Sequence, residues 1–239
     1  MQDTLMLLPG LMCDAAVWAP QVAALQTDVQ AKVRCVVPAY GLRNSLTAMA
    51  EQVLEMAPDT FSVAGHSMGG RVALEIMRLA PARVKRLALL DTGTHPLPAG
   101  EAGEKERAGR LALLTKAQTQ GMRAMGRDWA RGMVHPSQLD TPLFESILDM
   151  LERSSPQQFE AQINALLNRP DAAPLLPKIT CPTLVLCGRE DGWSTPAQHE
   201  TMHAAMPNAT LRIIEHCGHM CTMEQPQVLT QALREWLRS

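Results

Sequence analysis

The chain has 239 residues, a length that suits one α/β domain, or one core domain with an insertion, and allows a sizeable buried core. Its 22 Lys and Arg against 24 Asp and Glu give a formal net charge of -2, which argues against nucleic acid or an anionic membrane as the main partner. No apolar run approaches the roughly 18 residues that span a bilayer. Residues 1–4 lack the basic start of a signal peptide, so we expect a cytoplasmic protein.

Short apolar runs alternate with helical patterns along the chain. The runs are almost continuously hydrophobic, which is typical of strands buried on both faces of a parallel sheet. Strands are predicted at residues 5–8, 33–37, 61–64, 87–90, 183–187 and 211–214. Covering helices are predicted at residues 46–56, 70–79, 196–205 and 226–237. This alternation predicts the α/β class, with a doubly wound, mostly parallel sheet.

The alternation stops between residues 92 and 178, where prolines separate several helical patterns. An insertion of this length is expected to fold as its own helical unit. We therefore predict a core of residues 1–91 and 179–239 with a helical cap insertion at 92–178. One helical face of the cap, expected to be ordinary core, carries Met122, Met125, Trp129 and Met133.

The cap segment 105–131 has seven basic residues against two acidic ones. Arg123, Arg127 and Arg131 are spaced by four and so share one helical face. An ordinary solvated face is the first interpretation. The alternative is that these arginines lie beside a pocket entrance and attract substrates with a carboxylate, or an acidic carrier. A homodimer contact is also left open.

Residues 65–69 read Gly-His-Ser-Met-Gly and lie between a predicted strand and a predicted helix. This is the G-x-S-x-G pattern of a nucleophile elbow in the strand-to-helix setting that it requires. A sharp turn lifts the Ser67 hydroxyl away from the backbone, and we expect it to force a positive φ on Ser67. Gly65 and Gly69 stand where any side chain would collide across the turn.

An activated serine needs a base and an acid, and two later loops offer them in the order Ser, Asp, His. The turn at 188–192 follows a predicted strand and contains Glu190 and Asp191. The loop at 215–220 follows the next strand and contains His216 and His219. Asp91, at the end of another strand, is a further candidate for the acid. Loops at the carboxyl ends of parallel strands converge at one edge of the sheet.

Together these motifs resemble those of the α/β-hydrolase superfamily, over nearly the whole chain. The matching segments are residues 7–11, 65–69, 182–188 with Asp191 and Pro196, and 218–219 with Glu224 and Pro226. The resemblance implies Ser67 as nucleophile, His219 as general base and Asp191 as the orienting acid. It also implies an oxyanion hole from the backbone N–H groups of Leu11 and Met68. We further expect Trp193, beside the acid, and Met220, beside the base, to contact the substrate.

Two departures from the superfamily pattern are visible. Pro9-Gly10 stands where the superfamily usually has His-Gly after its first core strand. The chain also begins almost directly at the superfamily's third strand, so the two leading strands are expected to be absent. The predicted strand at 33–37 would then form a sheet edge, with Lys32 and Arg34 discouraging edge pairing.

Serine in the elbow argues against the dehalogenase and epoxide hydrolase branches, which carry aspartate there. Our first hypothesis is a hydrolase of small carboxylic esters or lactones acting through an acyl-enzyme, with an amide or formyl substrate as a variant. The alternatives are a carbon–carbon bond hydrolase or cyanohydrin lyase on the same triad, and a ligand receptor with negligible turnover. Fold alone does not separate them.

No cofactor is expected. The six cysteines include no C-x-x-C pair, so reduced and mostly buried thiols are predicted. His216, Cys217, His219 and Cys221 crowd together, but their spacing is not that of a zinc site, and we expect no metal there.

Overall fold

The computed structural model describes residues 3–28 and 33–239. Its strands are β1 (Asp3–Leu8), β2 (Val33–Val36), β3 (Phe61–His66), β4 (Val84–Leu90), β5 (Thr183–Gly188) and β6 (Ala209–Ile214). They form one sheet in the order β2-β1-β3-β4-β5-β6. Every neighbouring pair is parallel. The predicted fold class, a doubly wound parallel sheet, is confirmed.

Helices flank this sheet. They are α1 (Ala19–Gln26), α2 (Leu46–Met56), α3 (Met68–Leu79), α4 (Glu101–Gln120), α5 (Met122–Trp129), α6 (Pro142–Glu152), α7 (Pro156–Leu167), α8 (Pro196–Ala204), α9 (Cys221–Glu224) and α10 (Pro226–Leu237). Helix α2 packs against α3, α1 packs against α10, and α8 contacts β5 and β6. No helix in the described ranges is long and apolar enough to cross a membrane.

The burial of each strand follows its place in the sheet. The central strands β3 and β5 are buried along their whole length, because helices cover both faces. Residues 209–213 of β6 alternate between partly buried and exposed, and only the last residue is buried. The two-sided burial predicted for 211–214 is therefore wrong, because β6 is an edge strand. The other edge is β2, as predicted, with Arg34 exposed. Lys32 lies outside the described residues.

The chain between β4 and β5, all of it described, contains helices and no strand. Two of the prolines there begin helices instead of interrupting them. Thr141 Oγ1 accepts the Phe144 N–H at the start of α6, and Pro142 takes the first helical position. The Ser155 hydroxyl and Pro156 repeat this arrangement at α7. Helices α4 to α7 pack against one another.

Candidate active site

The turn from β3 to α3 holds Ser67 at φ 55° and ψ -117°, the strained conformation expected of a nucleophile elbow. Its glycines are required sterically. A Cβ on Gly65 would lie 2.3 Å from the Gly69 carbonyl oxygen, and a Cβ on Gly69 would lie 2.2 Å from the Leu8 carbonyl oxygen. The Ser67 N–H donates to the Leu90 carbonyl at 2.8 Å, and the Thr92 hydroxyl donates to the Ser67 carbonyl at 2.7 Å. These bonds offset the strain of the turn.

Three side chains from three loops form a continuous relay at the carboxyl edge of the sheet. His219 Nε2 lies 2.8 Å from Ser67 Oγ. On the other side of the ring, His219 Nδ1 lies 2.8 Å from Asp191 Oδ2. The second oxygen of Asp191 accepts the backbone N–H groups of Trp193 and Ser194 at 2.8 and 2.9 Å. The structure therefore brings together the three residues that the sequence singled out.

The alternative acids and the alternative base have other partners. Glu190 Oε2 accepts the Cys217 N–H at 2.9 Å. Asp91 Oδ1 accepts the Gly188 N–H at 3.0 Å, and its other oxygen accepts the Cys221 N–H at 3.3 Å. His216, with φ 56°, lies on the exposed turn before the relay histidine. The His219 ring thus meets Asp191 and neither of the other two carboxylates.

Two contacts that sequence reasoning missed hold the His219 loop. The His219 N–H donates to the Met133 carbonyl, on the cap, at 2.6 Å. The Glu224 carboxylate accepts the N–H groups of Gly218, Met220 and His135 at 3.0, 3.1 and 2.6 Å. Glu224 matched the superfamily pattern in the sequence but was assigned no role there. What could have indicated a role is an acid five residues after His219. Glu224 therefore joins the cap to the His219 loop.

The charges at this edge are unequally distributed. Burial disfavours a charge on His219, but the Asp191 carboxylate outweighs it and raises the pKa of His219 above its ordinary value. Burial likewise opposes a charge on Asp191, yet His219 and the backbone N–H groups lower the pKa of Asp191. Burial, then the nearby Asp191 charge, raise the pKa of Asp91. Of the two buried carboxyl groups, Asp191 therefore carries the negative charge more readily.

The loop after β1 lies against the elbow. Gly10 leaves room there, because a Cβ would lie 3.0 Å from His66 Nδ1 and 3.3 Å from the Ser67 Cβ. Leu11, from this loop, and Met68, at the start of α3, both line the cavity above the serine. The next residue, Met12, has φ 59°, and its N–H donates to Gln162 Oε1 on α7 at 2.7 Å. Gln162 fixes this loop from the cap, and no sequence motif indicated it.

A cavity of about 1250 Å³ opens over the serine between the sheet edge and the cap. Trp193, which was expected to contact the substrate, lines this cavity, and its ring lies 5.1 Å from the His219 ring and 5.2 Å from that of Trp129. Met220 requires a correction. Its side chain is fully buried and is not among the described residues that line the cavity, because it packs into the core below the loop.

The cap arginines also differ from the alternative interpretation. Arg123 pairs with three carboxylates of α6, and Arg127 pairs with the first of them; these are Glu145, Asp149 and Glu152. Arg123, Arg127 and Arg131 are not among the described residues that line the cavity. Placing them beside the pocket entrance was therefore wrong, since α6 covers this face with opposite charge. The basic residues that do line the cavity are Arg71, Lys105, Arg110 and Arg169.

One group of side chains could hold a metal ion. His135, Glu190 and His216 place ligand atoms within 4.8 Å of one another near the surface. They are not among the described residues that line the cavity, so an ion there would not touch the reacting atoms. In the zinc arrangement considered from sequence, both ring nitrogens of His219 are already engaged. All six cysteines, each in the described part of the chain, are unpaired.

Known hydrolases match both the sequence and the fold. The profile of a family described as "Alpha/beta hydrolase family" matches residues 5–232. A candidate carbamate hydrolase of Stutzerimonas stutzeri (strain A1501) is 28% identical over 262 residues, covering 98% of this chain and 91% of its own. A 2-hydroxy-6-oxononadienedioate/2-hydroxy-6-oxononatrienedioate hydrolase of Escherichia coli is 22% identical over 267 residues, covering 98% and 87%.

Among solved structures, a thermophilic esterase from Thermogutta terrifontis, with malate bound, superposes with a TM-score of 0.87 at 27% identity. The match covers 99% of this chain and 89% of that one. Agreement over almost the whole length of both chains includes the helices between β4 and β5 as well as the sheet.

Proposed function

Because this chain belongs to the alpha/beta hydrolase family, we propose that it is a serine hydrolase that cleaves a carboxylic ester, open-chain or cyclic, through an acyl-enzyme. The observation that carries this proposal is the continuous relay from Ser67 Oγ through the His219 ring to Asp191, with 2.8 Å at each step. A serine hydroxyl becomes a strong nucleophile when such a base can take its proton.

In the proposed acylation step, His219 Nε2 takes the Ser67 proton as Oγ attacks the ester carbonyl carbon. The tetrahedral intermediate collapses, the bond to the alcohol oxygen breaks, and His219 returns the proton to the departing alkoxide. Water then attacks the acyl-enzyme with the same histidine as base, releasing the carboxylic acid and the serine. In a lactone the alcohol stays attached to the acyl chain, so one ring-opened product results.

Backbone donors are proposed to stabilise the oxyanion of this intermediate. The Met68 N–H stands at the first position of α3, where helical N–H groups have no partner within the helix. The Leu11 N–H is its proposed companion, from the loop that Gln162 fixes through Met12. Loss of one such donor typically slows acyl transfer by on the order of 100-fold or more. Gln162 therefore supports the reaction through the position of the loop.

Asp191 is proposed to keep the His219 proton on Nδ1, so that Nε2 is free to accept from Ser67. It also stabilises the imidazolium that forms during each step, without taking the proton itself. The pKa of His219 is raised against the effect of burial, because the Asp191 carboxylate favours the charged ring, and this agrees with the proposed role.

Carbon–carbon bond hydrolysis is the second candidate. It is favoured by the Escherichia coli relative, which matches 98% of this chain and is named as a hydrolase of oxo-dienedioates. That reaction would use the same relay to cleave a bond between two carbons instead of an ester bond. Carbamate cleavage, the activity in the name of the Stutzerimonas stutzeri relative, would differ from ester cleavage only in the carbonyl substituent.

The test combines turnover with covalent labelling. The purified protein is assayed with 4-nitrophenyl acetate, with a lactone and carbamate panel, and with a vinylogous 1,5-diketone acid for carbon–carbon cleavage. A fluorophosphonate is then expected to inactivate it stoichiometrically, with the added mass on the peptide that contains Ser67. Labelling without turnover of any of these substrates would favour a receptor, and turnover of the diketone alone would favour carbon–carbon cleavage.

A further inference from the structure

A group of charged side chains lines the cavity wall formed by α3, α4 and the segment after α7. Arg71 belongs to α3, Glu106 and Arg110 belong to α4, and Arg169 follows α7. All four line the same cavity as Ser67. Arg71 comes one helical turn after Ser67, about 6 Å further along the axis of α3. The charged group and the proposed nucleophile therefore share one chamber.

The carboxylate of this group is shared between two of the arginines. Arg169 Nη1 and Nη2 donate to the two oxygens of Glu106 at 2.7 and 2.8 Å. Arg110 Nε donates to the first of these oxygens at 2.9 Å. Three guanidinium groups against one carboxylate leave an excess of two positive charges, because arginine stays protonated at neutral pH.

Arg71 is the arginine without a carboxylate. Its Nη1 donates to the His95 carbonyl at 2.9 Å, and the same oxygen accepts from Arg169 Nε at 3.2 Å. No carboxylate in the described part of the chain lies within 4.0 Å of Arg71. Two guanidinium groups thus meet at one carbonyl oxygen. Arg169 Nη1 and Nη2 also donate to the Leu166 and Pro96 carbonyls at 2.8 and 3.4 Å, so of the two arginines only Arg71 keeps donors without a described acceptor.

This arrangement is unfavourable unless something anionic completes it. Burial, then the charge of Arg169, lower the pKa of Arg71, as expected for a cation held beside a second cation. Gly93 allows the guanidinium its position, because a Cβ there would lie 2.9 Å from Arg71 Nη2. A half-buried cation without a counter-charge costs free energy, so a surface of this kind fits an anionic ligand.

We propose that Arg71 forms a carboxylate-binding subsite, with Arg169 adding positive charge beside it, and that the ester cleaved at Ser67 carries a carboxylate on the part that reaches Arg71. The Arg169–Glu106 pair shows that a planar, bidentate carboxylate fits a guanidinium on this wall. Leu113, Leu166 and Leu176 line the same cavity and suit a hydrocarbon linker. The ester preference rests on the proposed function; binding of the carboxylate does not.

The first test is a substrate pair of equal length, the mono-4-nitrophenyl ester of glutaric acid and 4-nitrophenyl pentanoate. We expect the wild type to favour the half-ester by roughly tenfold or more in kcat/KM, mainly through KM. Arg71→Gln should reduce this ratio by about tenfold, and Arg71→Lys should restore part of it. Arg123→Gln, a surface arginine paired with α6, is the matched control and should leave the ratio unchanged.

The second test measures binding in the Ser67→Ala background, where hydrolysis plays no part. Glutarate should raise the Tm of this variant, and the added Arg71→Gln change should remove that rise. Inorganic phosphate serves as the comparison anion. Equal stabilisation with and without Arg71, or stabilisation by phosphate alone, would overturn the carboxylate subsite.

The two tests separate failure of the subsite from failure of the proposed function. Glutarate binding that needs Arg71, in a protein that hydrolyses neither ester, would leave the subsite standing and remove the esterase. Hydrolysis of both esters at equal efficiency, with Arg71→Gln lowering both alike, would assign Arg71 a purely structural role and end the proposal.

Discussion

The two ends of the cavity are built by different rules. At the serine end, each side chain of the relay has a defined partner: His219 lies between Ser67 and Asp191, and Asp191 also accepts two backbone N–H groups. At the arginine end, Arg71 shares a carbonyl with Arg169 and meets no described carboxylate. A completed hydrogen-bond network fits a centre that performs chemistry. An excess of positive charge fits a surface that binds an anionic ligand.

A second contrast shows why charge must be counted in three dimensions. The arginines of α5 look like a basic stripe in the sequence, yet α6 brings three carboxylates to Arg123. Arg71 is isolated in the sequence, yet the fold places Arg169 beside it, 98 positions along the chain. The basic surface available to an anionic ligand is therefore the one whose arginines the fold does not pair with carboxylates.

The largest effect is expected at the serine end. Ser67→Ala should lower ester turnover by on the order of 10⁴-fold or more, because it removes the covalent path. Ser62→Ala is the matched control, because the Ser62 hydroxyl is buried on β3, the strand that leads to the turn, without a described hydrogen-bond partner. Steady-state kinetics with an aryl ester, on variants of equal Tm, checks this. A Ser67→Ala enzyme within about tenfold of the wild type would break the proposed mechanism.

The two histidines of the 215–220 loop should respond very differently. His219→Asn should be nearly as damaging as loss of the serine, and a double variant should be little worse, because the two residues act as one unit. His216→Asn should cost less than about threefold, since asparagine tolerates the positive φ of this position. Comparison of kcat/KM for the three variants decides the assignment, and exchanged phenotypes would make His216 the base.

Asp191→Asn should lower kcat by roughly 10²- to 10⁴-fold by favouring the wrong His219 tautomer. The pH profile adds a signature. Catalysis needs neutral His219, so kcat/KM falls as the pH drops through its pKa, which Asp191 raises. Without that charge, burial lowers the pKa of His219, and the acid limb should move to lower pH. Glu190→Gln is the control for the pH limb, and neither Glu190→Gln nor Asp91→Asn should lower kcat by this much. A limb unmoved by Asp191→Asn would contradict the relay.

The smallest effect is expected at the cap surface. Replacing Arg123, Arg127 and Arg131 together with Gln should change kcat/KM for the glutarate half-ester by less than about threefold, since none of the three lines the cavity and α6 carboxylates already pair with Arg123 and Arg127. The salt dependence of kcat/KM should also stay the same, because charges on this face that lie more than about 10 Å from the substrate are largely screened at 0.1 M salt. A preference for the half-ester that disappears in this triple variant would locate anion recognition on the cap surface instead.

Local patterns predicted much of the fold. The α2 and α10 helices begin and end at the predicted residues, 46–56 and 226–237. The burial of β6 could not be predicted, because an apolar run does not reveal whether a strand will lie at the edge of the sheet. At the site, Ser67, Asp191 and His219 stood in recognisable loops. Met220 was misplaced because sequence adjacency to His219 says nothing about which way a side chain points.

The sequence by itself determined those features of the site that depend on residues close together in the chain. A nucleophile elbow needs its glycines within a few positions of the serine, and loops after parallel strands must meet at one edge. Only the tertiary structure decided which acid faces His219, how Gln162 and Glu224 connect the cap to the loops around Ser67, and where positive charge remains unpaired. These depend on contacts between residues far apart in the chain, such as Met12 with Gln162 or Arg71 with Arg169 through His95. Packing brings such residues together, and their spacing in the sequence does not.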